Sequence, residues 1–85
     1  MSDETYEISI DFRQRKLGSK HYLVGRNRAI ELSGSGAYFV EKMLDGETVD
    51  SIVEKAAEDF GVDPETIRTD LVAFAESLRA ADVLE

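Results

Sequence analysis

The chain reads as an α+β domain in which a three-stranded antiparallel sheet precedes three helices, and three observations predict this. Apolar residues alternate at period two near the start (Tyr6, Ile8, Ile10, Phe12), then recur at three- and four-residue spacing after Leu32. Helix punctuation falls in the second half, with Ser33, Thr48 and Asp63–Pro64 at starts and Asp45–Gly46 and Gly61 at ends. In the first third, Gly18 and the Gly25–Arg28 turn cut the chain into pieces suited to strands. A sheet of three strands has one face to bury, and helices packed on that face bury it.

Each element has its own signal. The first strand is expected over 5–12, where Glu7, Ser9 and Asp11 separate the apolar residues. "RQRKLGSK" is polar and, with Gly18, reads as a turn. The second strand is expected over 21–25 ("HYLVG") and the third over 29–32 ("AIEL"), joined by a tight hairpin turn into a meander. Ser33 caps a helix over 34–45 whose apolar positions are Ala37, Val40, Met43 and Leu44. Thr48 caps a second over 48–60, with Ile52, Val53, Ala56, Ala57 and Phe60 on its apolar face and Gly61 as its stop. The third, 64–80, starts on a capping carboxylate, Asp63, with Pro64 in its first turn and Glu65 beside it; Ile67, Leu71, Phe74 and Leu78 form its stripe. Val83–Leu84 should fold back on the core, so that 1–85 makes one domain.

Composition narrows the function. With 85 residues, 42% of them hydrophobic, a modest core is affordable. There is no cysteine, which removes disulfides, thiolate nucleophiles and zinc–thiolate sites together. No apolar run approaches the ~18 residues of a membrane span, and the acidic "MSDETYE" start is unlike a secretory signal. A cytoplasmic protein without a membrane partner is expected. The net charge of −8 is uneven: Arg13 to Ala29 holds six basic residues and no acid, whereas Glu41 to Glu85 holds thirteen acids against four bases. Two surfaces with different partners are one reading of that asymmetry, and solvation of a small domain is the other.

Chemistry is scarce. His21 is the only histidine and has no cysteine or second histidine to work with, so it reads as structural. Asp50, Glu54 and Glu58 repeat at four-residue spacing opposite the apolar face of their helix and read as solvated. "GSG" at 34–36 lacks the third glycine of a dinucleotide loop, since Phe39 stands in its place. No catalytic residue, metal ligand or cofactor is assigned. A winged-helix nucleic-acid reader is the alternative, but a groove-reading helix carries cations or amides. Here the second helix has Lys55 against four acids, and the third has Arg68 and Arg79 against Glu65, Asp70 and Glu76. No nucleic-acid partner is expected. A subunit that only stabilises a partner enzyme is a third option.

Peptide recognition remains, because an edge strand offers unpaired backbone groups to an incoming strand. The third strand, Arg28, Ala29, Ile30, Glu31 and Leu32, needs no special side chains for that. Next to it the third helix would supply a wall: Leu71 on the stripe, with Val72, Ala75, Arg68 and Arg79 on one flank at 100° per residue.

The run from Ala29 to Glu85 also resembles the PqqD-like proteins, or RiPP recognition elements. The familiar parts are a strand ending Leu32–Ser33 before a Gly-Ala-containing helix, "LDG", the Thr48–Val53 helix start, and the Val62–Glu65 turn before "DLVAF". The resemblance implies a winged-helix-like domain that binds the leader of a ribosomally made precursor peptide. The leader would add to the third strand beside the third helix, for delivery to a modifying enzyme such as a radical SAM protein or, in lasso peptide biosynthesis, a leader peptidase. Ser33 stands where the family has asparagine, which keeps a capping side chain. The aromatic third strand of lasso-peptide members is absent. "FRQRKLGSKHY" is similar to the entry strand of members working beside radical SAM maturases, with Arg15 where their glutamate falls.

Overall fold

The computed structural model describes residues 4–85, so the first three residues of the 1–85 span lie outside it. The element order is β1 (Arg13–Leu17), β2 (Lys20–Val24), β3 (Ala29–Leu32), α1 (Gly34–Leu44), α2 (Val49–Phe60) and α3 (Pro64–Ala80). All three strands are antiparallel neighbours in the order β1-β2-β3, so β1 and β3 are both edges. Arg13 faces Val24 and Leu17 faces Lys20 across the first hairpin; His21 faces Leu32 and Val24 faces Ala29 across the second.

The expected first strand at 5–12 is a correction. The strand is the polar "RQRKL", whose composition predicts a turn, and the turn itself is Gly18–Ser19 with Gly18 at φ +64°. Backbone pairing to β2 holds β1 in place, and only Gln14 lies half-buried. The earlier alternation is real burial of another kind. Tyr6, Ile8 and Phe12 pack against the core while Ile10 is 88% exposed. Their segment runs antiparallel to the chain's end, with an Ile8–Leu84 bridge and hydrogen bonds from Ser9 N–H to Val83 O (2.7 Å) and Glu85 N–H to Glu7 O (2.9 Å). A half-buried single bridge leaves the same period-two trace as a strand.

Helix starts follow their caps. Ser33 Oγ accepts the Gly36 N–H and Thr48 Oγ1 accepts the Ser51 N–H, each at 3.1 Å. Asp63 occupies the third cap position, but its carboxylate accepts no helix N–H, so Pro64 starts α3 without a side-chain cap. α1 lies on one face of the sheet and touches all three strands, and α2 and α3 pack against each other behind it. Leu23, Phe39, Val40, Ile52, Leu71 and Val83 are the enclosed centre. Among the described residues no helix is long and apolar enough to cross a membrane.

Candidate functional site

The outer edge of β3 is the feature to build from. In an antiparallel ladder, hydrogen-bonded and non-hydrogen-bonded pairs alternate. Gly25 N–H donates to Arg28 O at 2.8 Å, so the Gly25/Arg28 pair is hydrogen-bonded, and by alternation so are Leu23/Ile30 and His21/Leu32. Ile30 therefore spends its N–H and C=O on β2. Ala29 and Glu31 point theirs outward, and among the described residues no strand lies on that side. Two residues offer two donors and two acceptors to a fourth strand.

Helix α3 runs beside this edge, and two contacts fix how. Just past the end of β3, in the first turn of α1, Gly36 lies so close to Phe74 that a β-carbon there would sit 3.1 Å from the ring. At the beginning of β3, the Arg28 guanidinium donates to the Ala81 carbonyl. The second half of α3 thus runs antiparallel to β3. Seven residues of helix cover about 10 Å and four residues of strand about 13 Å, so the two borders match in length. Phe74 and Ala81 are seven residues apart and share one flank of α3; Leu78 and Ser77 lie on either side of it. The resulting shelf is bordered by the β3 edge, with Ile30 and Phe74 half-buried at its floor.

Arg28 closes one end of the shelf. Besides holding Ala81 O, one of the orphan carbonyls of a helix end, it stacks over the Phe12 ring at 5.3 Å. Phe12 is seated against the hairpin at Gly25, where a β-carbon would come within 2.7 Å of it. The strand start, the α3 end and the N-terminal segment therefore meet at one cation, placed where a helix C-terminus favours positive charge.

The residues assigned to a binding site from sequence separate here. Ala29, Ile30, Glu31 and Leu32 form the β3 edge with Arg28 just before it, although the Leu32 side chain is buried. Leu71 and Ala75 are buried core residues at 0% and 1% exposure and present no surface. Arg68, Val72 and Arg79 lie on the flank of α3 turned away from β3. Arg68 pairs with Asp50 of α2 at 2.7 Å, Arg79 with Glu76 at 2.6 Å, and Val72 is 43% exposed. Tyr6 lies within reach of that flank: burial and Glu4 raise its pKa, and Arg79, Glu76 and Arg68 all act on it. The wheel names only the flank carrying Val72 and Arg79, whereas the flank of α3 that borders β3 is the one carrying Phe74 and Ala81. Phe74, Ser77 and Ala81 are the α3 positions that border the β3 edge, and Leu78 beside them is buried like Leu71 and Ala75. The close Gly36–Phe74 approach was the missing signal, because it links two residues 38 apart in sequence.

Neither of two depressions on the surface is this shelf. One, of about 450 Å³, lies between Tyr6, Ile8, Met43 and Leu44; the other, of about 310 Å³, lies at the hairpin tip by Phe12 and Arg28. A strand-addition site needs an open edge rather than a cavity.

A family model described as coenzyme PQQ synthesis protein D (PqqD) matches residues 20–84. It begins where β2 begins, so β1 and the N-terminal segment lie outside it. No curated protein matches the chain. Among solved structures the chain is similar to "TbiB1 in Complex with the TbiA(beta) Leader Peptide", with a TM-score of 0.84 and 21% identity over 93% of this chain and 94% of that one. At this identity the likeness shows a shared fold, which extends the match to nearly the whole chain.

Proposed function

The chain belongs to the PqqD family, and from that premise we propose that it is a non-catalytic recognition element for the leader of a ribosomally made precursor peptide. The leader lies as a fourth strand along β3, on the shelf in front of Phe74, Ser77 and Ala81, while the rest of the precursor extends to a modifying enzyme. The open β3 edge carries this reading: Ala29 and Glu31 turn their backbone groups away from β2, toward a shelf of strand length. The structural neighbour, itself solved with a leader peptide, supports a leader peptide as the ligand. Four main-chain hydrogen bonds at a net ~0.5–1.5 kcal/mol each give about 2–6 kcal/mol, short of the ~8 kcal/mol of micromolar binding before any ordering cost. Apolar leader side chains against Ile30 and Phe74 must supply the rest. A radical SAM maturase is the enzyme class this reading favours, since β3 lacks the aromatic residues of lasso-peptide members.

The test is titration of the labelled protein with peptides tiling the N-terminal halves of short open reading frames beside its gene. One peptide should bind saturably and perturb the amides of Ala29 and Glu31 above all others. Saturable binding mapped to α2 or to the Arg68–Arg79 flank would reject the site; selective duplex DNA binding in a parallel titration would reject the function.

A further inference from the structure

The sheet has a second face that no helix among the described residues covers. Leu23 is fully enclosed beneath α1, and Gln14 opposite it donates to Ala37 O of α1 at 3.1 Å, which fixes the helix-bearing side. By strand alternation Arg13, Arg15, Leu17, Lys20, Tyr22 and Val24 face the other way. Glu31 is the one acid that β3 adds there, reaching Lys20 at 3.9 Å. Among the described residues Arg13 and Arg15 make no ion pair, in a chain with 18 acids and 10 lysines and arginines. The fold has gathered cations on its bare face and left the acid excess on the helices. Tyr22 and Val24, both half-buried, sit in the middle strand between them, and Leu17 is 65% exposed.

We propose that this face is a docking surface for an acidic protein surface, where carboxylates pair with Arg13 and Arg15 around an apolar contact with Tyr22 and Val24. Arginine and tyrosine are the side chains enriched at such contacts, and the guanidinium fork suits isolated carboxylates. Nucleic acid fits worse, because a polyphosphate needs a longer cationic track than this short face offers. The face measures roughly 16 Å by 10 Å, well below a standard interface, so the contact is weak and transient. It lies on a different surface from the β3 backbone edge and does not depend on the leader-binding reading.

The test uses the full chain and a fluorescent 14-residue helical probe with a leucine stripe flanked by glutamates. Its lysine counterpart and a 12-nucleotide single strand serve as competing probes. The acidic probe should bind with a Kd of roughly tens to hundreds of micromolar at low salt, shifting the amides of Arg13, Arg15 and Tyr22. Arg13→Gln with Arg15→Gln should weaken it at least ~10-fold, about 1.4 kcal/mol. Lys16→Gln with Arg26→Gln removes the same charge off this face and should change it less than ~2-fold. All four side chains are exposed, and circular dichroism confirms that both variants fold. No binding of the acidic probe, equal loss in the control pair, or tighter binding of the oligonucleotide at the same residues overturns the proposal.

Discussion

Replacing Glu31 by proline isolates what the β3 edge contributes. Glu31 turns its N–H outward, so the free protein loses no ladder bond, and proline is tolerated on an edge strand in that orientation. Ile30 before it is already extended, as a residue preceding proline must be. The Lys20–Glu31 contact that disappears is long and exposed, and its loss contributes next to nothing. A bound strand, however, loses the Glu31 donor, and the ring crowds the partner bond to the Glu31 carbonyl. Two bonds at ~0.5–1.5 kcal/mol each give about 1–3 kcal/mol, or roughly 5- to 150-fold in Kd. Fluorescence anisotropy with the labelled leader measures it, with Glu31→Ala as the side-chain control, expected within ~2-fold of the native chain. Ile30→Pro is the contrasting variant: it deletes an N–H donated to Leu23 and should lose the fold itself by circular dichroism. A folded Glu31→Pro that binds the leader as well as Glu31→Ala refutes pairing at this edge.

Three further outcomes follow from the same geometry, and a fourth from a tyrosine of α1. Phe74→Ala should weaken leader binding ~10-fold or more and lower stability by about 1–3 kcal/mol, less than a fully buried phenylalanine would cost. Val72→Asp, on the far flank, should change neither by much in calorimetry and denaturant melts; a large binding loss there would place the leader on that flank instead. Arg28→Ala should speed amide exchange at Ala81–Val83 and lower stability by about 0.5–2 kcal/mol, with Arg28→Lys recovering part through the helix-end charge. Tyr38 donates to Asp59 at 2.9 Å, and burial together with that carboxylate pushes its phenol up to about 12. The unfolded chain then binds fewer protons between pH ~10 and ~12, so stability falls as pH rises through that window. In urea melts across this range, Tyr38→Phe should remove that part of the decline.

The sequence alone determined what depends on neighbours along the chain. The three helix starts at Ser33, Thr48 and Pro64, the Gly61 stop and the strand at 29–32 all rest on local capping, turn chemistry and periodicity, and all are where the residues place them. Absence of cysteine and acidic helices were enough to set aside most chemistry and groove reading. What needed tertiary structure was every choice between two equal local signals. Local alternation points to "YEISIDF" as the first strand, and pairing with β2 selected the polar "RQRKL" instead, because backbone hydrogen bonds do not require apolar side chains. Both flanks of α3 border its buried stripe in the same sequence pattern. Only the contacts of Phe74 with Gly36 and of Arg28 with Ala81, spanning 38 and 53 residues, decided which one lies beside β3. Periodicity gives the angle of a side chain about its own helix axis, and the packing of one element on another gives that angle its direction in space.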